Sequence, residues 1–135
     1  MLRTAILALI TTILGGLLVV VGPVTGAQAL YYGHTGAPDR ILRSGCHGYR
    51  YHYRVRPPTN DWVLETFLTD PRGDTIASNA FSSDSEHKRG HGKFRFCRYN
   101  TRSGRFTIRA KLTWYSGYDE SKVWLKRSHF DLTRP

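Results

Sequence analysis

From Arg105 to Trp114 the chain reads RFTIRAKLTW, in which Phe106, Ile108, Ala110, Leu112 and Trp114 alternate with Arg105, Thr107, Arg109, Lys111 and Thr113. A repeat of two residues puts every apolar side chain on one face of an extended backbone and every polar one on the other, the pattern of a half-buried β-strand. Cys97 closes KFRFC just upstream, and Thr101-Arg102-Ser103-Gly104 has the composition of a tight turn. The expectation is a paired, disulfide-tied strand at the centre of the fold.

Residues 1–29 read as a secretory signal peptide. Arg3 supplies the positive start, Ala5 to Val21 is apolar, Gly22-Pro23 breaks the run, and Ala27-Gln28-Ala29 is a small-x-small cleavage site. An uncleaved anchor is the competing reading, because the run reaches the short limit for spanning a bilayer. No cysteine near the cleavage site could take a lipid and no apolar tail closes the chain. The mature chain is therefore expected to be secreted, with no stable membrane insertion after cleavage. Export permits a disulfide, and two cysteines leave one pairing, Cys46 with Cys97. Closing a loop of about 50 residues stabilises by about 4 kcal/mol in the chain-entropy treatment. Neither cysteine has a second Cys or His at a ligand-pair spacing, which argues against a metal site there.

The remaining residues suffice for one domain. Residues 30–44 lack periodicity and predict an extended N-terminal arm, with an edge strand over 40–43. In YRYHYRV, Tyr49, Tyr51, Tyr53 and Val55 alternate with Arg50, His52 and Arg54, a strong strand signal ended by Pro57-Pro58. Residues 62–69 (WVLETFLT) and 75–81 predict a hairpin around Asp70-Pro71-Arg72-Gly73-Asp74, and the apolar character of both faces of 62–69 suits a strand between two layers. Residues 82–92 (SSDSEHKRGHG) predict an exposed loop and 93–99 a strand, in which Phe94 and Phe96 share one face and Cys97 takes the other. A seven-residue loop is expected over 115–121 and a last strand or pair of strands over 122–132. No sustained helical pattern appears in the mature chain. The fold expected over 45–135 is an all-β antiparallel β-sandwich of immunoglobulin-like type with one disulfide, and a small β-barrel is the alternative.

The Asp70-Pro71-x-Gly73 turn, Phe94-x-Phe96-Cys97, the following glycine-bearing turn and Phe106-Thr107-Ile108-Arg109-Ala110 together resemble immunoglobulin-like domains in small secreted proteins of Gram-positive bacteria, actinobacteria in particular. The resemblance covers 70–112 and implies a sandwich fold and a non-enzymatic domain type. The antibody-type arrangement fits poorly, because Cys46 precedes the first strong strand and only Trp62 lies between the cysteines in a strand context.

Twenty Lys and Arg stand against 10 Asp and Glu, a formal charge of +10 to which the leader contributes only Arg3. Such a charge favours anionic partners, and export turns attention from specific nucleic acid to an anionic envelope polymer or another extracellular protein. Tyrosines and tryptophans suit contact with sugars or protein surfaces. The candidate binding residues are Tyr49, Tyr51, Tyr53, Arg50, Arg54, Tyr115 and Tyr118, with Arg56, Arg95, Arg109 and Lys111 nearby as charge. A secreted binding module follows as the leading reading, with a structural or inhibitory extracellular protein as another.

A hydrolase is the competing class. Tyr51-His52-Tyr53 superficially resembles the stretch that holds the catalytic glutamate in small secreted guanyl-specific ribonucleases, but its neighbours here are Arg50 and Arg54. Glu65, His129 and Arg109 remain as an acid-base set whose spacing shows no convergence, so no catalytic residue is assigned. Metal ligands and cofactors are not expected. His87 and His91 make a ligand pair only on a helix, and Asp70 with Asp74, or Asp119 with Glu120, lack the oxygen density of a calcium loop. Arg72-Gly73-Asp74 matches an integrin-recognised tripeptide, although its residues are those that a turn needs in any case.

Overall fold

A computed structural model describes residues 26–135; residues 1–25, most of the expected signal peptide, lie outside the described residues. A short helix, α1 (Gly26–Tyr32), spans the expected cleavage point at Ala29 and leads into β1 (Gly33–Gly36) and β2 (Arg40–Ile41). Then follow β3 (Cys46–Val55), β4 (Trp62–Thr69), β5 (Thr75–Ser82), β6 (Arg89–Cys97), β7 (Gly104–Ser116), β8 (Asp119–Trp124) and β9 (Ser128–Thr133).

Two sheets face each other. One has the order β1-β3-β6, the other β2-β9-β7-β4-β5, with β8 beside β9 along the same edge of β7. All pairs are antiparallel except the short β2–β9 contact. With the chain changing sheet between β3 and β4, between β5 and β6 and again between β6 and β7, this is an immunoglobulin-like β-sandwich. Residues 30–44 are built into it, since β1 pairs with β3 and β2 with β9.

The 105–114 alternation lies within β7 as expected, Phe106, Ile108, Ala110 and Leu112 being buried between neighbours β4 and β8 or β9. Its relation to the cysteines differs from the expectation. Cys97 ends β6, which belongs to the opposite sheet, and residues 98–103 carry the chain across the sandwich instead of closing a hairpin. The Cys46–Cys97 disulfide joins directly opposed residues of β3 and β6 within one sheet. Antibody domains place theirs between sheets. Phe94 and Phe96 take the core side and the cysteines the outer side of that sheet.

On β3, Tyr49, Tyr51 and Tyr53 face inward. Tyr49 stacks on Phe96 with centroids 4.5 Å apart, and Tyr51 on Phe94 at 4.1 Å. Phe96, Phe106 and Phe130 continue the column into the other sheet. These phenols would be costly to bury unpaired, and each hydroxyl has a partner. Tyr49 accepts from the Arg43 amide, Tyr51 meets Thr66 Oγ1 at 2.6 Å and accepts from Asn79 Nδ2, and Tyr53 donates to the His87 carbonyl. The Tyr51–Thr66 bond crosses from β3 to β4, tying the sheets at mid-core.

β6 begins at Arg89, four residues earlier than the sequence suggests, because Gly90 and Gly92 are core-side strand residues without side chains. The tyrosine rings occupy that space. A Cβ at Gly92 would lie 2.6 Å from the Tyr51 ring and one at Gly90 2.7 Å from the Tyr53 oxygen. The loop expected over 115–121 contracts to a two-residue turn, with Gly117 at φ +62° between β7 and β8. In β4, Trp62, Leu64, Thr66 and Leu68 are buried and Val63, Glu65 and Phe67 look outward, so one face alone meets the core.

Asp70 locks one end of the sandwich. Its fully buried carboxylate accepts from Thr101 Oγ1 at 2.8 Å and from the Arg72 and Asp74 amides, while the Arg72 guanidinium stands 3.5 Å away and donates to the Asn100 carbonyl. The β4–β5 turn is thereby fastened to the β6–β7 crossover, and Arg72 of the Arg-Gly-Asp tripeptide is engaged within the fold. Burial alone would raise the Asp70 pKa; the Thr101, Asp74 and Arg72 bonds with the Arg72 charge outweigh it and hold the carboxyl below its ordinary value.

Asp70→Ala should cost about 2–4 kcal/mol in urea unfolding, by removing charged hydrogen bonds and orphaning Thr101. A carboxyl whose folded pKa is depressed stabilises fully above its unfolded value near pH ~4 and loses that contribution as pH falls through the folded value. Stability of the native protein should therefore fall across this acid window more steeply than that of Asp70→Asn, which a urea series at several pH values measures. Gly92→Ala should cost about 1–3 kcal/mol by overpacking against Tyr51, read from the same unfolding curves.

Candidate functional site

With tyrosines inward on β3 and glycines and phenylalanines inward on β6, the register fixes what faces outward. Opposed pairs on the outer face are Gly48 with Arg95, Arg50 with Lys93, His52 with His91, and Arg54 with Arg89, and the Cys46–Cys97 disulfide closes the row. β1 adds His34 opposite Arg54. The charged and imidazole side chains of this face are exposed, and none is acidic. Like charges set directly across a strand pair destabilise a sheet, and here they occupy the two rows, Arg50–Lys93 and Arg54–Arg89, on either side of the His52–His91 pair.

The outer face of the other sheet shows that composition does not force this. There Lys111 meets Glu65 at 2.7 Å, Arg105 meets Asp131 at 3.2 Å and Lys122 meets Glu120 at 2.9 Å. Arg109 lies over the Trp124 ring at 4.9 Å. Among the described residues no salt bridge involves the outer face of β3 and β6; the remaining one is the Arg72–Asp70 pair. One sheet is charge-balanced and the other is a cationic ladder.

The ladder carries a shallow depression of about 310 Å³ bounded by Pro38, Arg40, Arg50, Tyr51, His52 and His91. The His52 ring passes over β1 where Gly36 has no side chain; a Cβ there would lie 2.7 Å from the ring. His34 and His52 meet edge to face with centroids 6.2 Å apart. Burial first, then His52, Arg54, Arg56 and Arg89, hold the His34 pKa below its ordinary value, a local sign of the positive field.

The residues expected to bind divide three ways. Arg50 and Arg54 stand in the ladder. Tyr49, Tyr51 and Tyr53 are between 1% and 4% exposed and belong to the core, because the alternation that exposes the arginines buries the rings between them. Tyr115 and the fully exposed Tyr118 lie at the β7–β8 turn of the other sheet, away from Arg50 and Arg54 in the topology. His34, His52, Arg89, His91 and Lys93 are additions. The alternation Arg89-x-His91-x-Lys93-x-Arg95 is the signal for those on β6, obscured by the two intervening glycines.

Glu65, Arg109 and His129 all lie on the outer face of the larger sheet but have different partners, Lys111, Trp124 and Thr107 Oγ1 respectively. Among the described residues no three or more His, Cys, Asp or Glu side chains form a metal-binding group. Nor is any described helix long and apolar enough to cross a membrane.

No family model matches the chain, and no curated protein matches it. Among solved structures it is similar to the CARDB domain of a Pyrococcus furiosus protein, solved in complex with di-metal ions. The TM-score is 0.42 at 11% identity, over 77% of this chain and 94% of that one.

Relieving the ladder's self-repulsion should stabilise the fold. Arg54→Thr or Lys93→Thr is expected to raise stability by about 0.2–1 kcal/mol at low ionic strength, with the gain fading in high salt as screening replaces it. Thermal unfolding of each variant at two salt concentrations measures this, and Lys122→Thr on the balanced sheet should show no gain.

Proposed function

We propose that this chain is a secreted, non-enzymatic binding module that holds a linear polyanion along the β3–β6 ribbon, the favoured ligand being a phosphate-bearing polymer of the cell envelope. The observation that carries the reading is the two opposed like-charge pairs, Arg50–Lys93 and Arg54–Arg89, that flank an imidazole pair without a carboxylate among them. Fold stability gains nothing from that arrangement, whereas an extended anion gains at every row. Side chains on one face of a strand recur about every 6.8 Å, so the rows offer a regular series of contacts to an extended phosphodiester chain. Arg50, Arg54, Arg89 and Arg95 can each grip two oxygens of a phosphate, and Lys93 adds a point charge. The leader-like sequence and the disulfide support an extracytoplasmic setting.

The module needs no pocket for this task. A stiff sheet pre-organises the cations, and the in-sheet disulfide fixes β6, the edge strand that supplies half of them. Tyr99, 80% exposed beyond the disulfide with Arg98 beside it, extends the track with an amphipathic ring.

Polyglycerol phosphate should bind the disulfide-bonded protein with an affinity that falls linearly in log–log form with salt. Arg50→Gln with Arg54→Gln should lower the slope by roughly 0.7–0.9 for each phosphate left un-neutralised, whereas Arg105→Gln with Lys122→Gln should leave it unchanged. Fluorescence anisotropy across a salt series reads both. Equal weakening in the two double variants would place binding elsewhere, and shortening of the polymer on incubation would replace the binding module with a hydrolase.

A further inference from the structure

Three imidazoles occupy the middle of the ladder. His34 lies on β1, His52 on β3 and His91 on β6, so the group crosses the whole three-stranded sheet. His52 and His91 are directly opposed, and the rows on either side are Arg50 with Lys93 and Arg54 with Arg89. Arg40 borders the depression that His52 and His91 share, and Arg56 and Arg89 reach the field of His34. Of the acids nearest in sequence, Asp39 accepts from the Asp131 amide at 2.7 Å, and Glu86, between β5 and β6, acts on the core-side Tyr53 hydroxyl.

Everything that faces these rings from β1, β3, β6 and the β1–β2 segment is cationic, imidazole or uncharged. Such an environment repels a divalent metal ion, and burial together with these charges holds the His34 pKa below its ordinary value. Polyanion in the same place would reverse the balance, since each phosphate partly cancels the arginines and offers an acceptor to a ring N–H. An imidazole is the one side chain whose ordinary pKa lets that reversal act near neutral pH.

We infer that His34, His52 and His91 form the proton-linked rung of the ladder, so that a bound phosphate polymer is held more tightly in a mildly acidic medium and takes up protons as it binds. This rests on the polyanion reading above. The fixed cations provide binding at any pH, and the imidazoles make the central contact conditional. Gly36 belongs to the device, because the space left by its missing side chain is where the His52 ring reaches over β1. No atoms are exchanged except protons drawn from water or buffer.

The test is isothermal titration of the intact disulfide-bonded protein with polyglycerol phosphate at fixed ionic strength, at pH 7.5, 6.5 and 5.5, in paired buffers of different ionisation enthalpy. The native protein should take up about one proton or more per bound segment and bind at least about five-fold more tightly at pH 5.5 than at 7.5. The triple variant His34→Gln, His52→Gln, His91→Gln should lose both the proton uptake and the tightening between pH 7.5 and 5.5. His47, His87 and His129 remain in it as internal controls. Binding without proton uptake, or a triple variant that keeps the native pH dependence, would overturn this inference and leave the polyanion reading standing. Absence of binding at every pH and at low salt would remove both.

Discussion

One register, β3 against β6, governs this molecule. With Tyr51 opposite Gly92 and Cys46 opposite Cys97, three consequences follow at once. The tyrosine rings gain the space above the glycines, the thiols meet, and every arginine and lysine of the two strands, with His52 and His91, comes to one surface. A slip of one residue would invert all of it, driving cations into the core and aromatics into water. The disulfide pins that register at one end, and the Tyr51–Thr66 and Asn79–Lys93 hydrogen bonds hold it along the ribbon.

The two sheets then use the same residue types to opposite ends. On the larger sheet each cation of the central strand's outer face sits beside a carboxylate or an indole, and the pairs help to stitch β4, β7, β8 and β9 together. On the smaller sheet the cations face one another. Stability therefore has to come from beneath, from the stacked rings of Tyr49, Tyr51, Phe94 and Phe96, each phenol bonded to a specific partner. Burial also raises the Tyr51 pKa, only partly offset by the bonds with Thr66 and Asn79, which keeps the hydroxyl neutral in the core.

Much of the architecture is legible in the sequence because period-two alternation needs no knowledge of partners. The strands at 49–55, 62–69 and 105–114, the Asp70–Asp74 turn and the disulfide partners are all visible that way. What the sequence hides is non-local. Gly90 and Gly92 look like loop residues until the Tyr51 and Tyr53 rings are placed over them, so Arg89 and His91 of the ladder read as part of an exposed loop. The change of sheet after Cys97 is equally silent, since a turn-like composition does not say which sheet the next strand enters. For the same reason Tyr49, Tyr51 and Tyr53 read as binding residues, whereas their rings are buried in the core.

β6 is an edge strand, nine residues long, with an unsatisfied flank of the kind that invites a second copy to add a strand. Asn79 from the opposite sheet reaches across to cover the Lys93 carbonyl, and Arg89, Lys93 and Arg95 line the flank with like charge. Two such edges repel each other before their backbones can meet. The cations proposed to recruit a ligand thus also act as gatekeepers against self-assembly, so neutralising them changes colloidal behaviour as well as recognition.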